Sequence, residues 1–234
     1  MATENKIHPV QAKILVDLLF KPEVSFSSLL KGTHLTSDHF TFHLNKLTEL
    51  GLIEKTKKGG YCLSLKGKEF ANRFDTQKKI IERQAKLGVL IVCVKKLKGV
   101  TYYLTHQRLK QPYWGFYGFI TGKISWGETI KETAARELKE EANLSANIKF
   151  VGIEHKMDYS QKKQILEDKY FFIFRGDNPK GNLRKRFKGG KNIWKTYKEI
   201  AELKNSFKDV KDIVAVVDRN KLVFRENKFF EKVF

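Results

Sequence analysis

With 234 residues, 41% of them hydrophobic, the chain is long enough for two small domains with real cores, and its lack of low-complexity stretches excludes a disordered polymer. Its longest uninterrupted apolar run, Val89 to Val94, is far short of the roughly 20 residues that span a bilayer, and no signal-peptide pattern opens the chain, so no membrane role and a cytoplasmic location are expected. The formal charge of +20 divides into +5 over residues 1–79 and +15 over residues 80–234, which implies attraction to polyanions or a lysine-rich surface that names no partner.

In residues 7–20, Val10, Ile14, Leu15 and Leu18 recur at helical spacing, with Pro9 in the first turn where its missing N–H does no harm. Ser25 is suited to cap a short second helix that ends at Lys31-Gly32. A third helix starts near Thr36 or Ser37, with Phe40, Leu44 and Leu47 as its inward stripe and Gly51 as its end. Residues 52–58 and the stretch from Tyr61 then read as two strands joined at Gly59-Gly60. Residues 66–87 are highly charged and are expected to be helical. Cys62 and Cys93 lack metal-ligand spacing and read as separate buried thiols.

Three helices followed by a hairpin over residues 7–80 resemble the winged helix-turn-helix domain of small transcription regulators. In that family the third helix enters the major groove and the wing touches phosphate. The resemblance implies that Thr41, Phe42, Asn45 and Lys46 face DNA and that Lys57 and Lys58 sit on the wing. The same core also serves as a protein-docking or dimer-forming module, so a homodimer stays open; exposed Phe42 favours a protein partner.

From Gly88 the pattern becomes strands: residues 88–94, residues 100–107, and an aromatic stretch at 113–119. A domain boundary is expected near residues 80–87, giving domains of 1–80 and 81–234. Beyond the third strand, a helix from about Thr129 to Ala142 gathers Glu137, Glu140 and Glu141 within an arc of about 100°. Ala134, Leu138 and Ala142 line a different face that suits packing on a sheet. Crowded carboxylates repel unless a cation neutralises them, and an all-oxygen set suits Mg²⁺ or Mn²⁺ better than zinc.

Gly122, Glu128, Arg136-Glu137-Leu138, Glu140-Glu141, Asn143 and Leu144 follow the spacing of the Nudix hydrolases, which this segment resembles. The resemblance implies an α/β/α sandwich with a mixed sheet, so the whole chain is expected to be α+β / α/β. It also implies water attack on a diphosphate, with Glu137, Glu140 and Glu141 holding metal and Glu137 accepting the proton. Glu167 or Asp168 is the alternative base, and a solvated strand start is the bland reading of both. Glu128 and Arg136 are implied to pair and tie the loop to the helix. A side chain at Gly122 is expected to obstruct the turn, and Gly127 to permit it. Asn143 stands in place of the family's usual glycine but tolerates the left-handed conformation, and Ile120-Thr121 replace the common Pro-Gly.

Residues 180–198 carry eight Lys or Arg, no acid, and three interleaved aromatics. They read either as a loop that grips phosphates, with Arg184 and Arg186 in contact, or as a solvated loop before a helix. Lys123 and Trp114 complete the substrate-side candidates, although aromatics at 113–116 more often belong to a core. Two functions remain in view: a diphosphate hydrolase acting on a nucleotide-type small molecule, and a transcription regulator that senses a nucleotide metabolite. Known Nudix-related repressors carry the two domains in the opposite order.

Overall fold

Side-chain caps decide where most helices begin. In the computed structural model, which describes residues 7–234 except Lys79, Glu82 and Asn220, His8 caps α1 (Pro9–Leu19), Ser25 caps α2 (Phe26–Leu30) and Thr36 caps α3 (Ser37–Glu49). The antiparallel wing β1 (Ile53–Lys55) and β2 (Tyr61–Leu63) follows, with Gly59 at φ 83° in its turn. Next come α4 (Leu65–Ala71) and a small ladder of β3 (Phe74–Asp75) with β4 (Ile80–Ile81). Ile14, Leu15, Phe40, Leu44 and Leu47 form the core of this first unit, residues 1–83. It is a winged helix.

The second unit, residues 84–234, is built on a nine-stranded mixed sheet. It contains β5 (Lys86–Leu97), β6 (Val100–Arg108), β7 (Tyr117–Gly118) and β8 (Ile120–Lys123), then α5 (Ile130–Ala142). Strands β9 (Ser145–Ser160), β10 (Ile165–Lys180), β11 (Arg186–Phe187) and β12 (Gly190–Lys195) precede α6 (Tyr197–Ala201), α7 (Val210–Asp218) and β13 (Val223–Glu231). The main path runs β11-β12-β6-β5-β10-β9-β13, with β8 on β5 and β7 on β6. Strands β5 and β10 run parallel, as do β9 and β13, and the other pairs are antiparallel.

Alternation along β5 explains the two layers. Val89, Ile91 and Cys93 pack toward Ala134, Leu138 and Ala142 of α5. Leu90, Val92 and Val94 pack toward Ile200 of α6 and Ile213, Val214 and Val217 of α7. Each fully buried aliphatic side chain contributes about 1.5–3 kcal/mol, so a period-two strand clamped on both faces is well anchored.

Three expectations need correction. The charged stretch 66–87 is not one helix: α4 ends at Ala71, and strand pairing takes over at Phe74, although the expected helix at Lys79 and Glu82 lies outside the described residues. The aromatic stretch is not a strand from Tyr113, because Tyr113 and Gly115 both take positive φ and pairing begins only at Tyr117. Nor is 180–198 a single loop, although the helix expected at its end is present as α6 from Tyr197. Its β11–β12 hairpin adds to β6, from Gly190 opposite Arg108 to Lys195 opposite Tyr103.

Candidate active site

Local sequence places α5 tightly. Thr129 and Glu132 form a reciprocal capping box at its start, and Asn143 ends it in the left-handed conformation at φ 56°. The departure from glycine is therefore accommodated by asparagine itself. Ile120 and Thr121 pair in register with Ile91 and Leu90, so the segment before Gly122 is regular strand.

Arg136 organises the acids. Its Nε and Nη2 donate to Glu128 at 2.6 and 2.8 Å, its Nη1 donates to Glu137 at 2.7 Å and to Glu140 at 3.2 Å, and Nη2 also reaches the Lys123 carbonyl. The Arg136 guanidinium, with Thr133 and the Ser125 amide, holds the Glu128 carboxyl down at about 2. Gly127, at φ 86°, makes the turn that delivers Glu128 to this fork.

Gly122 is free of any side chain for a reason different from the expected one. A Cβ there would lie 2.0 Å from Cγ and Cδ of Glu137, so the absent methyl leaves the space in which this carboxylate lies over β8. The turn itself does not demand it, since Gly122 lies in β8 and is not among the positive-φ residues.

The acids of α5 do not act as one cluster. Glu137 and Glu141 line a cavity of about 520 Å³, whereas Glu140 is 59% exposed and bonded to Arg136. Among the described residues no three His, Cys, Asp or Glu side chains converge as a metal cluster. The three-carboxylate set expected from the helical arc is thus divided by exposure, although Arg136 Nη1 donates to both Glu137 and Glu140.

Burial, then the neighbouring charge of Glu137, pushes the Glu141 carboxyl up to about 7, with Lys110 and Arg108 opposing. Its other close neighbour is His106, whose Nδ1 is 3.9 Å away and which burial holds below its ordinary pKa. A buried carboxylate beside a second carboxylate is a place that a bound cation would stabilise. The donors present, Glu137 and Glu141, are hard oxygens of the kind Mg²⁺ or Mn²⁺ accepts.

Six cations and two further acids, Glu167 and Asp209, complete the charged lining of the cavity. Glu167 accepts from Lys86 at 2.7 Å and also from Lys169, and Asp209 accepts from buried Lys156 at 2.7 Å. Burial favours protonation of Glu167, but Lys169 and Lys86 outweigh it and hold the carboxyl below its usual value. Arg108 donates to the Pro112 carbonyl at 2.7 Å. Among the described residues, Arg108, Lys110 and Lys123 line the cavity without a carboxylate within ion-pair distance. Tyr113, Phe171 and Phe207 supply an apolar wall.

The other sequence candidates fall in different places. Lys123 lines the cavity, but Trp114 is 59% exposed and only its neighbours Pro112 and Tyr113 reach the lining. Arg184 is not turned to the cavity: its Nη1 donates to the Glu140 carbonyl at 2.7 Å and its amide to Ala142, closing the C-terminus of α5. Arg186 is exposed on β11, outside the lining. Glu167 is a cavity residue, and Asp168 accepts from or faces His155 at 2.9 Å. In the first unit Thr41, Phe42, Asn45 and Lys46 share the exposed face of α3, and Lys57 and Lys58 are exposed at the wing turn.

Sequence reasoning missed His106, Arg108, Lys110, Asn192, Lys156 and Asp209. The first two carried a legible signal, since residues 106 and 108 share one face of a strand.

Residues 84–216, more than half of the chain, match the family model of the NUDIX domain. The chain belongs to the Nudix family. No curated protein matches it in sequence. Nudix structures share its second unit's fold. The mutator MutT protein from Bacillus halodurans is 23% identical, with a TM-score of 0.53 over 64% of this chain and 93% of that one. The NUDIX domain of Shewanella oneidensis NrtR, solved with ADP ribose, is 14% identical, with a TM-score of 0.50 over 63% of this chain and 94% of that one. At these identities the likeness is one of fold alone. Among the described residues of this Nudix chain, no helix is long and apolar enough to cross a membrane.

Proposed function

We propose that residues 84–234 form a Mg²⁺-dependent hydrolase that cleaves a diphosphate linkage in a nucleoside-diphosphate-type substrate, with Mn²⁺ as an alternative ion. The observation that carries this reading is the placement of Glu137 and Glu141 on a cavity that also presents Arg108, Lys110 and Lys123, while its other acids, Glu167 and Asp209, are paired with lysines. Glu137, Glu141 and, on release from Arg136, Glu140 would hold the metal. When bound, such an ion supplies Lewis-acid polarisation of phosphate oxygens and eases deprotonation of an attacking water.

The chain's own residues divide the remaining work. Arg136 orients Glu137 and ties the 123–128 loop to α5 through Glu128. Water attacks phosphorus, the bridging P–O bond breaks, and Glu137 takes the water's proton. Glu167, kept ionised by Lys86 and Lys169, is the second acceptor on the same cavity wall. Arg108, Lys110 and Lys123 neutralise phosphate oxygens, and Tyr113, Phe171 and Phe207 cover the apolar part of the ligand.

Residues 1–83 are assigned DNA binding through Thr41, Phe42, Asn45 and Lys46 of α3, with Lys57 and Lys58 on the wing. A second reading, a regulator whose Nudix domain senses a nucleotide metabolite, is favoured by that exposed α3 face. The fold likeness to a Nudix domain solved with ADP ribose supports the same reading. A panel of diphosphate compounds that includes ADP ribose, incubated with Mg²⁺ and wild type or Glu141→Gln, separates the two. Turnover lost in the variant supports the hydrolase. Binding without turnover, together with a ligand-dependent gel shift on upstream DNA, supports the regulator. Lys46→Ala and Lys57→Ala should weaken that shift, and the affinity should fall steeply with salt.

A further inference from the structure

The hairpin at one edge of the sheet does more than extend it. Three successive carbonyls at the end of α5 accept hydrogen bonds from the segment that leads into and forms this hairpin: Glu140 from Arg184 Nη1 at 2.7 Å, Glu141 from Asn192 Nδ2 at 2.7 Å, and Ala142 from the Arg184 amide at 2.8 Å. A helix leaves its last carbonyls without intrahelical donors, so an outside donor fixes the final turn. Asn192 is the buried member, 2% exposed.

The amide of Asn192 is fully committed. Its Nδ2 also donates to the Arg184 carbonyl at 2.9 Å, so both amide hydrogens are used on carbonyls and Oδ1 can only accept. His106 Nδ1, 3.0 Å from that oxygen, must therefore carry a hydrogen, which fixes the ring tautomer. The same ring faces the Glu141 carboxylate. One side chain thus holds the backbone of Glu141 and the ring beside its carboxylate.

We propose that Asn192 is a positioning residue of the hydrolytic site, holding the last turn of α5, and with it Glu141, in the geometry that receives the divalent ion. The inference rests on the hydrolase reading above. Outer partners of metal-binding side chains affect ion affinity by about 10–100-fold, and that is the scale expected here.

The test is a Mn²⁺ titration of the full chain, with the free ion followed by electron paramagnetic resonance and folding monitored by thermal melting. Asn192→Ala removes all three hydrogen bonds, and so does the uncharged Asn192→Leu, which keeps a side chain of similar size; neither adds a charge beside Glu141. Both should weaken Mn²⁺ affinity about 10–100-fold in protein that is folded at the titration temperature. With a turned-over substrate and saturating metal, kcat should fall while KM changes little. A merely structural role would lower the melting temperature and leave the affinity of the folded protein unchanged. Wild-type affinity in either folded variant overturns the inference while leaving the hydrolase reading intact. Failure of the wild type to bind Mn²⁺ overturns both.

Discussion

Replacing Gly122 by alanine adds one methyl group, and the structure specifies what that methyl meets. Its position lies 2.0 Å from Glu137 Cγ and Cδ and 2.2 Å from Oε1, so Glu137 must leave its place. The backbone can accommodate alanine, because Gly122 lies in β8 and is not among the positive-φ residues. Displacement gives up the 2.7 Å hydrogen bond from Arg136 Nη1, a partly exposed contact contributing about 1 kcal/mol. A forced side-chain rotamer adds about 0.5–1.5 kcal/mol. The total of about 2 kcal/mol corresponds to a melting temperature lowered by roughly 4–8 °C in a chain of this size. The protein should remain folded at 25 °C.

Hydrolysis should suffer far more, because the displaced group is one of the two α5 carboxylates that line the cavity and are assigned to the metal. We expect a loss of at least about 100-fold in kcat with Mg²⁺, the scale of several kcal/mol that metal-assisted charge stabilisation supplies. The assay pairs a melting curve with turnover of the best substrate from the diphosphate panel. A folded Gly122→Ala protein with wild-type kcat would refute the reasoning, since the methyl would then have been accommodated without moving Glu137.

Other outcomes follow from the buried charges. His155 lies between Glu226 and Asp168, and those partners, Glu226 first, raise its pKa. Its contribution to stability is therefore complete below its unfolded pKa, near 6.5, and is lost as pH rises through the higher folded value. Urea midpoints between pH 5.5 and 9 should fall, and His155→Gln should flatten that part of the curve. Burial, then Asp209, pushes the Glu154 carboxyl up to about 7, and one of its oxygens lacks a partner among the described residues. Glu154→Gln should raise the midpoint at pH 8 by the equivalent of about 1–3 kcal/mol and change it little at pH 4.5. Lys156→Met leaves Asp209 buried without its cation and should destabilise by about 3–5 kcal/mol, read from denaturant unfolding. Arg184→Ala should lower stability by about 1 kcal/mol through the end of α5 and leave KM unchanged, whereas a substrate-gripping arginine would raise KM.

The parts legible in the sequence were those governed by local spacing. Periodicity gave the buried stripe of Phe40, Leu44 and Leu47 on α3 and that of Ala134, Leu138 and Ala142 on α5. Eight residues of separation brought Glu128 to Arg136 because a loop and two helical turns span that distance. Illegible features depended on partners far along the chain. The 186–195 hairpin reads as a basic loop until β6 offers it an edge, and Arg184 reads as a phosphate ligand until the end of α5 takes it. Tyr113 looks like a strand residue, but its positive φ belongs to a turn that only the folded sheet requires. Lys156, Glu154 and Asp209 carry no sequence signal of burial, since charged residues on a strand or at a helix start are usually solvated.

Helical arc alone also overstated the symmetry of the acids. It treats Glu137, Glu140 and Glu141 alike, whereas packing places Glu137 and Glu141 on the cavity and leaves Glu140 exposed, with the partly buried Arg136 donating to both Glu137 and Glu140.

A crystal of the full chain soaked in Mn²⁺ and measured for anomalous scattering bears most directly on the claim that these carboxylates hold a catalytic ion. The account predicts a peak inside the cavity beside the Glu137 and Glu141 carboxylates. A cavity without such a peak at millimolar Mn²⁺, with both side chains still facing it, would contradict the account.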